Sequence, residues 1–139
     1  MIVGVILISF LGCGNEKQEK PKDSFINLST PENTLGSYIE SQKRGDLVSL
    51  KKTHELRGQN YYLPGPILIK SYKILKKTIF TNKEVDKWNG AEIIPRAEIG
   101  DVQLDVKEFF AEGSQMYSYN MRKFENEWKI ISHSAWGCD

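Results

Sequence analysis

The sequence predicts an α+β domain in which N-terminal helices cover an antiparallel sheet, and three observations lead there. Apolar residues occupy every second position in Val102, Leu104 and Val106 and again in Tyr117, Tyr119 and Met121, the spacing of strands with one buried face. Turn residues separate these runs at Ala111-Glu112-Gly113-Ser114 and near Glu125-Asn126-Glu127. Trp128 and Ile130 then resume the alternation, so residues 101–134 read as an antiparallel meander. Between residues 29 and 58 the apolar spacing is helical instead.

The first helix starts at Ser29-Thr30-Pro31-Glu32, where hydroxyls can cap, proline is tolerated in the first turn and an acid sits near the positive end of the dipole. Leu35, Tyr38, Ile39 and Gln42 recur at helical spacing and give one largely apolar stripe. Gly45 stops this helix. Asp46 caps a second, with Leu47, Leu50 and His54 on one side, which ends before Gly58. Tyr61 and Tyr62 sit in a connection that turns at Pro64-Gly65-Pro66.

Residues 67–80 form the first long strand candidate, with Tyr72, Ile74, Thr78 and Phe80 on one parity and Lys73 and Lys77 on the other; Lys76 breaks the pattern. Between Thr81 and Glu98 the periodic signal is weak. Asn89-Gly90 reads as a turn and residues 91–94 as a short strand, with Pro95 excluded from a central ladder position after it.

Length and composition bound the function. A chain of 139 residues, 40% hydrophobic and 27% charged, is ordinary for one globular domain. Nineteen basic against eighteen acidic side chains leave a net charge of +1, too balanced for the electrostatic footprint of a nucleic-acid binder. The one local basic cluster, Lys70, Lys73, Lys76 and Lys77, reads as a solvated strand face.

The N-terminus reads as a delivery device. Residues 2–11 are almost wholly apolar, too short for a bilayer span, which takes about 20 residues, but of the length of a signal-peptide core. Phe10-Leu11-Gly12-Cys13 resembles the lipobox of bacterial lipoproteins, although Phe10 stands where leucine is usual and no Lys or Arg precedes the run. That resemblance implies a signal peptide over 1–12, cleavage before Cys13 and acylation of its sulfur. The partner would be membrane lipid, and the location the cell envelope, facing the periplasm or exterior. The competing reading is a short core element with Cys13 as a buried thiol. Residues 15–23 carry no aromatic or branched aliphatic side chain and cannot bury enough surface to offset ordering, so 13–28 reads as a lipidated cysteine and flexible tether. Roughly 15 such residues reach about 20 Å.

Over residues 29–139 the chain reads as one domain. Thr30-Pro31-Glu32, Tyr38, Gly45-Asp46 and Glu127-Trp128-Lys129-Ile130 resemble the nuclear transport factor 2-like superfamily, which includes ketosteroid isomerases and polyketide cyclases. The resemblance spans roughly residues 29–135 and implies helices on a strongly curved, cone-shaped sheet around a pocket, often dimerised through the sheet. In the isomerases a tyrosine placed like Tyr38 donates to the substrate oxygen, as an acidic phenol can in a dry site. Such chemistry also needs a carboxylate base. At the corresponding place, sixteen residues beyond Asp46, stands Tyr62, so Tyr38 is read first as a core or pocket-wall residue.

Other candidates follow from residue type. His54 and His133 are the two histidines of the chain, and they lie on different elements without metal-ligand spacing, so no metal and no cofactor is expected. Ser132 and Ser134 flank His133, but neighbours on a strand point to opposite faces. Tyr61, Tyr62, Trp88, Tyr117, Tyr119 and Trp136 can line a cavity for a flat ligand or simply fill a core, with Tyr38, Tyr62, Tyr117 and Tyr119 the ligand-binding candidates. Cys138 reads as an incidental thiol.

The expectation is a lipid-anchored binding or interaction module, without catalytic activity, that takes a small apolar or aromatic ligand and no nucleic acid. The alternatives are an isomerase, dehydratase or cyclase using Tyr38 with His54, Asp105 or His133, and a structural homodimer joined through the outer face of the sheet.

Overall fold

The computed structural model describes residues 25–55, 69–93 and 95–138, the last without its side chain. Cys13, Tyr61, Tyr62 and the turn at 64–66 lie outside the described residues.

Helices α1 (Pro31–Arg44), α2 (Leu47–Lys52) and α3 (Asn82–Gly90) accompany strands β1 (Ser71–Ile79), β2 (Val102–Phe110), β3 (Gly113–Phe124) and β4 (Glu127–Cys138). The strands form one antiparallel sheet in the order β1-β2-β3-β4. The fold is α+β.

Helix α1 begins and ends for local reasons. Thr30 Oγ1 accepts from the Asn33 N–H at 3.1 Å, Pro31 fills the first turn, and Gly45 takes φ 62°, where a Cβ is costly. The N–H groups of Gly45 and Asp46 return to Gln42 and Ser41 at 3.1 and 2.9 Å, a Schellman closure. Asp46 then caps α2, accepting from the Ser49 N–H at 3.1 Å. Leu35, Tyr38 and Ile39 of α1 are buried against Val102, Leu104, Val106, Tyr119, Met121 and Ile130 of the sheet. Because directly paired residues share a face, the register puts Tyr117 and Tyr119 beside Val106 and Leu104, and His133 beside Tyr119, all toward the helices. Thr34 Oγ1 donates to the Trp128 carbonyl at 2.9 Å, and the Trp128 N–H to the Leu28 carbonyl at 2.8 Å, so the chain just before α1 is docked on β4.

Four local readings differ from the structure. Residues 91–94 give no strand among those described; instead residues 82–90 are helical, with the Thr81 N–H donating to the Glu84 carboxylate at 2.8 Å in the manner of a capping box. The first strand begins at Ser71, and Ile69 and Lys70 precede it as irregular chain. A bulge at Leu75 separates the pairs Ile74↔Val106 and Lys76↔Asp105 and inverts the parity beyond it. That is why Lys76 breaks the alternation: Ile74 and Lys77 face the helices, while Lys76 and Thr78 face away. Lys77 accordingly reaches Glu32 of α1 at 2.7 Å. Finally, α2 stops at Lys52, and His54 lies beyond it in an isolated parallel bridge to Ile130.

A second bulge, at Ile131, separates the pairs Asn120↔Ser132 and Met121↔Ile130. Ile130 and Ile131, as neighbours on a strand, are buried on opposite faces, and the extra residue inverts the parity beyond them, which puts His133 on the helix side with Tyr119. On the outer face α3 is attached through few side chains. Trp88 stands edge-on to Phe80 at 5.9 Å and its indole N–H donates to the Pro95 carbonyl at 3.1 Å; Asn89 exchanges hydrogen bonds with the backbone of Ala97.

Candidate functional site

Where α1 and the 53–55 segment meet the helix-facing side of β2 to β4, polar and aromatic side chains interrupt an otherwise apolar core. Tyr38 comes from the middle of α1. His54 is carried in by main-chain pairing, the Ile130 N–H donating to the Thr53 carbonyl at 2.8 Å and the Glu55 N–H to the Ile130 carbonyl at 3.0 Å. Tyr117 and Tyr119 come from β3 and His133 from β4.

The rings pack against one another. Tyr38 lies 5.0 Å from His54, 5.7 Å from Tyr119 and 6.3 Å from His133. His133 stacks on Tyr119 at 5.7 Å and stands 6.3 Å from His54, while Tyr117 lies 6.0 Å from Tyr119. Tyr38, His54 and Tyr119 are buried, Tyr117 is half-buried, and His133 is exposed, so the chain of rings reaches solvent at His133.

The sixth member is a carboxylate. Glu108, 2% exposed, accepts a hydrogen bond from the Tyr119 hydroxyl. Burial drives its carboxyl upward from the usual range, and the Tyr119 hydrogen bond offsets only part of that rise. The same burial, with the nearby Glu108 charge, pushes the phenols of Tyr38 and Tyr119 well above their ordinary value, so both keep their protons. Burial pulls the His54 imidazole down to about 4, outweighing the hydrogen bond to the Leu50 carbonyl and helped by the neighbouring His133. Burial of its ring against Tyr38 and Tyr119 pulls the His133 imidazole down as well.

At neutral pH the set therefore comprises protonated phenols, an uncharged His54 and a carboxyl with a raised pKa. Thr53 Oγ1 donates to the Leu50 carbonyl at 2.6 Å and lies 2.9 Å from His54 Nδ1, an arrangement satisfied by a proton on Nδ1 and a lone pair on Nε2. Gln42 Nε2 donates to the Tyr38 hydroxyl oxygen at 2.7 Å, leaving the phenolic proton for another acceptor. Together these groups can hold an uncharged molecule by ring stacking and one or two hydrogen bonds, or pass a proton.

Of the residues singled out from sequence, Tyr38, His54, His133, Tyr117 and Tyr119 are brought together. Asp105 is not: it projects from the opposite face, where its Oδ1 accepts from Gln103 Nε2 at 2.9 Å and Ser118 Oγ at 2.7 Å. As a partner for Tyr38 it is ruled out, because the two-residue period of a strand puts it on the other side from Leu104 and Val106. Trp88 is also on the outer face, and Ser132, beside His133, faces outward, its Oγ accepting from Asn120 Nδ2 at 3.0 Å. Glu108 was missed, yet the signal was present: it extends the row Val102, Leu104, Val106 by one further step of two, so a carboxylate had to face the core. Among the described residues no group of three or more His, Cys, Asp or Glu side chains is arranged to hold a metal ion.

The chain matches no family model, no curated protein and no solved structure. What the site does has to be read from its own chemistry.

Proposed function

We propose that the protein is an envelope-tethered binding module whose ligand is a small, uncharged, flat molecule with a hydrogen-bonding oxygen, held at the Tyr38–Tyr119–His133 rings. The observation that carries this is the convergence of five ring side chains with a buried Glu108–Tyr119 pair, which is costly to bury and contributes less to packing than apolar residues of the same size. Tyr38 offers its proton, Glu108 accepts, and the rings sandwich a flat body. The fold we attribute to the domain is the cone of the nuclear transport factor 2-like proteins. Bulges at Leu75, at Ile131 and between Ala135 and Cys138 support it, because bulged strands bend and a bent sheet can wrap a pocket. Acylated Cys13 is the anchor in this reading, and membrane lipid its partner.

Native mass spectrometry of the chain, purified from an envelope fraction of its host in mild detergent, tests the pocket. An extra mass on the order of a few hundred daltons is expected, and it should be lost in Tyr38→Phe and in Glu108→Gln. A bare chain in every preparation would sink the ligand reading and favour an interaction module or homodimer. For the anchor, Cys13→Ala is expected to move the protein from the membrane to the soluble fraction and to abolish the mass of the acyl chains. Unchanged mass and membrane association would exclude lipidation there.

A second reading, proton-transfer catalysis of isomerase, dehydratase or cyclase type, is favoured by one feature of the same site. Glu108, with its raised pKa, and uncharged His54 are the kind of pair whose environments separate acid from base. If the captured molecule exchanges a carbon-bound hydrogen with deuterated water in the presence of the protein, and Glu108→Gln stops the exchange, the site is an enzyme's. Binding without exchange leaves it a carrier's.

A further inference from the structure

The outer face carries a second concavity, remote from the ring cluster and independent of it. Between α3 and the strands β1 and β2 lies a groove of about 500 Å³, within the size range of small-molecule sites. Phe80 and Trp88 supply its apolar wall. The Trp88 ring is fixed by the edge-on contact with Phe80 and by the hydrogen bond from its indole N–H to Pro95, so it presents a rigid flat surface.

Around this wall stand three ammonium groups, Lys76, Lys83 and Lys87, against two carboxylates, Glu84 and Asp105. Neutral donors hold one oxygen of each carboxylate, which fixes its position and leaves its charge in place, so the lysines exceed the carboxylates by one charge. Glu84 accepts from the Thr81 N–H and hydroxyl, and Asp105 accepts from Gln103 and Ser118. The lysines differ: neither Lys76 nor Lys87 forms an ion pair among the described residues. Lys83 and Lys87 are one helical step of four apart on α3 and so line the same side. Lys76 faces them only because the Leu75 bulge turns it to the outer face; in an unbulged strand it would share a face with Ile74 and lie under α1. The bulge thereby stands a lysine beside a rigid aromatic wall, the two features that a flat anion needs.

We propose that this groove binds a soluble small anion with a flat apolar body, an aromatic or alicyclic carboxylate, sulfate or phosphate ester. The body lies on Trp88 and the anionic group between Lys76 and Lys87. A neutral molecule of the same shape gains the stacking but not the charge-assisted contacts.

The test is calorimetric titration of the full chain, held in phosphatidylcholine nanodiscs, with 2-naphthalenesulfonate and with 2-naphthalenemethanol, its uncharged counterpart, against empty nanodiscs. One sulfonate per chain is expected, bound at least about tenfold more tightly than the alcohol, a factor of about ten being 1.4 kcal/mol. The double variant Lys76→Gln/Lys87→Gln changes exposed side chains and should fold; it is expected to erase that preference. The proposal is overturned if sulfonate and alcohol bind alike, if neither binds, or if the lysine variant binds as the native chain does. It is also overturned if His133→Ala, rather than the lysine variant, abolishes binding, since the probe would then occupy the ring cluster. Failure here leaves the ring-cluster reading untouched, because no residue is shared.

Discussion

Replacing Arg122 with alanine is expected to destabilise the domain by about 3 kcal/mol, enough to threaten folding in a protein of ordinary stability. Asp101 is 4% exposed, and the Arg122 guanidinium holds it bidentately, Nε to Oδ1 and Nη2 to Oδ2, both at 2.8 Å. The Glu98 N–H adds a third bond to Oδ2 at 2.8 Å, and Arg122 Nη2 also reaches the Arg96 carbonyl at 2.8 Å. Removing the arginine leaves a buried carboxylate without its counter-charge, the change that costs most among ion-pair mutations. The Glu98 carboxylate, 3.1 Å from Nη1, loses the same counter-charge, but it is largely exposed and adds little to the cost. Urea denaturation checks the number, and the double variant Arg122→Ala/Asp101→Ala should be less damaged than the two single losses summed. A loss below about 1 kcal/mol in Arg122→Ala would mean that water reaches Asp101 and the pair is a surface one. The pair also fastens residues 96–101 to β3.

The second large effect is a dependence of stability on pH carried by His54. Its native pKa is pulled down to about 4 from an ordinary 6.5, chiefly by burial, so between these values the unfolded chain takes up a proton that the folded one refuses. Above pH 6.5 the contribution to stability is complete. As pH falls from 6.5 toward 4 it is lost, by about 3 kcal/mol at 1.36 kcal/mol per unit. Glu108 acts in the opposite sense, since a carboxyl with a raised native pKa loses stability as pH rises above its ordinary value. His133 adds to the His54 trend in the same direction. Comparison with His54→Gln isolates the histidine. The difference in unfolding free energy between native chain and variant should be constant above pH 6.5 and shrink toward pH 4. A difference that stays flat over that window would show that His54 is solvated in the folded protein.

His54 and the Asp101–Arg122 pair are unequally legible in the sequence. His54 is legible as a candidate because it is one of two histidines, but a place on the side of α2 with Leu47 and Leu50 is not what brings it to the site. A main-chain bridge to Ile130 does that. Asp101 and Arg122 carry no sequence signal, because an Asp and an Arg twenty-one positions apart look like any two charges until β2 and β3 are paired. Helix α3 is hard to read from the sequence for a local reason: its apolar residues are few, Val85 and Trp88 within a polar run, and Asn89-Gly90 reads as a turn, so the Thr81-to-Glu84 capping spacing is the one signal for it.

What the sequence determined by itself is the part governed by neighbours in the chain. The caps of α1 and α2, the break at Gly45-Asp46, and the meander of β2, β3 and β4 with its buried parity follow from side chains a few positions apart, through periods of 3.6 and 2 and through single cap hydrogen bonds. Only the tertiary structure decided which side of the sheet Lys76 and His133 occupy, because each depends on one extra residue in a ladder whose register is set by the opposite strand. It also decided that Glu108, Tyr119, Tyr38, His54 and His133 form a single site. Their pKa shifts come from shared burial, and burial belongs to the packed molecule, not to the spacing of residues along the chain.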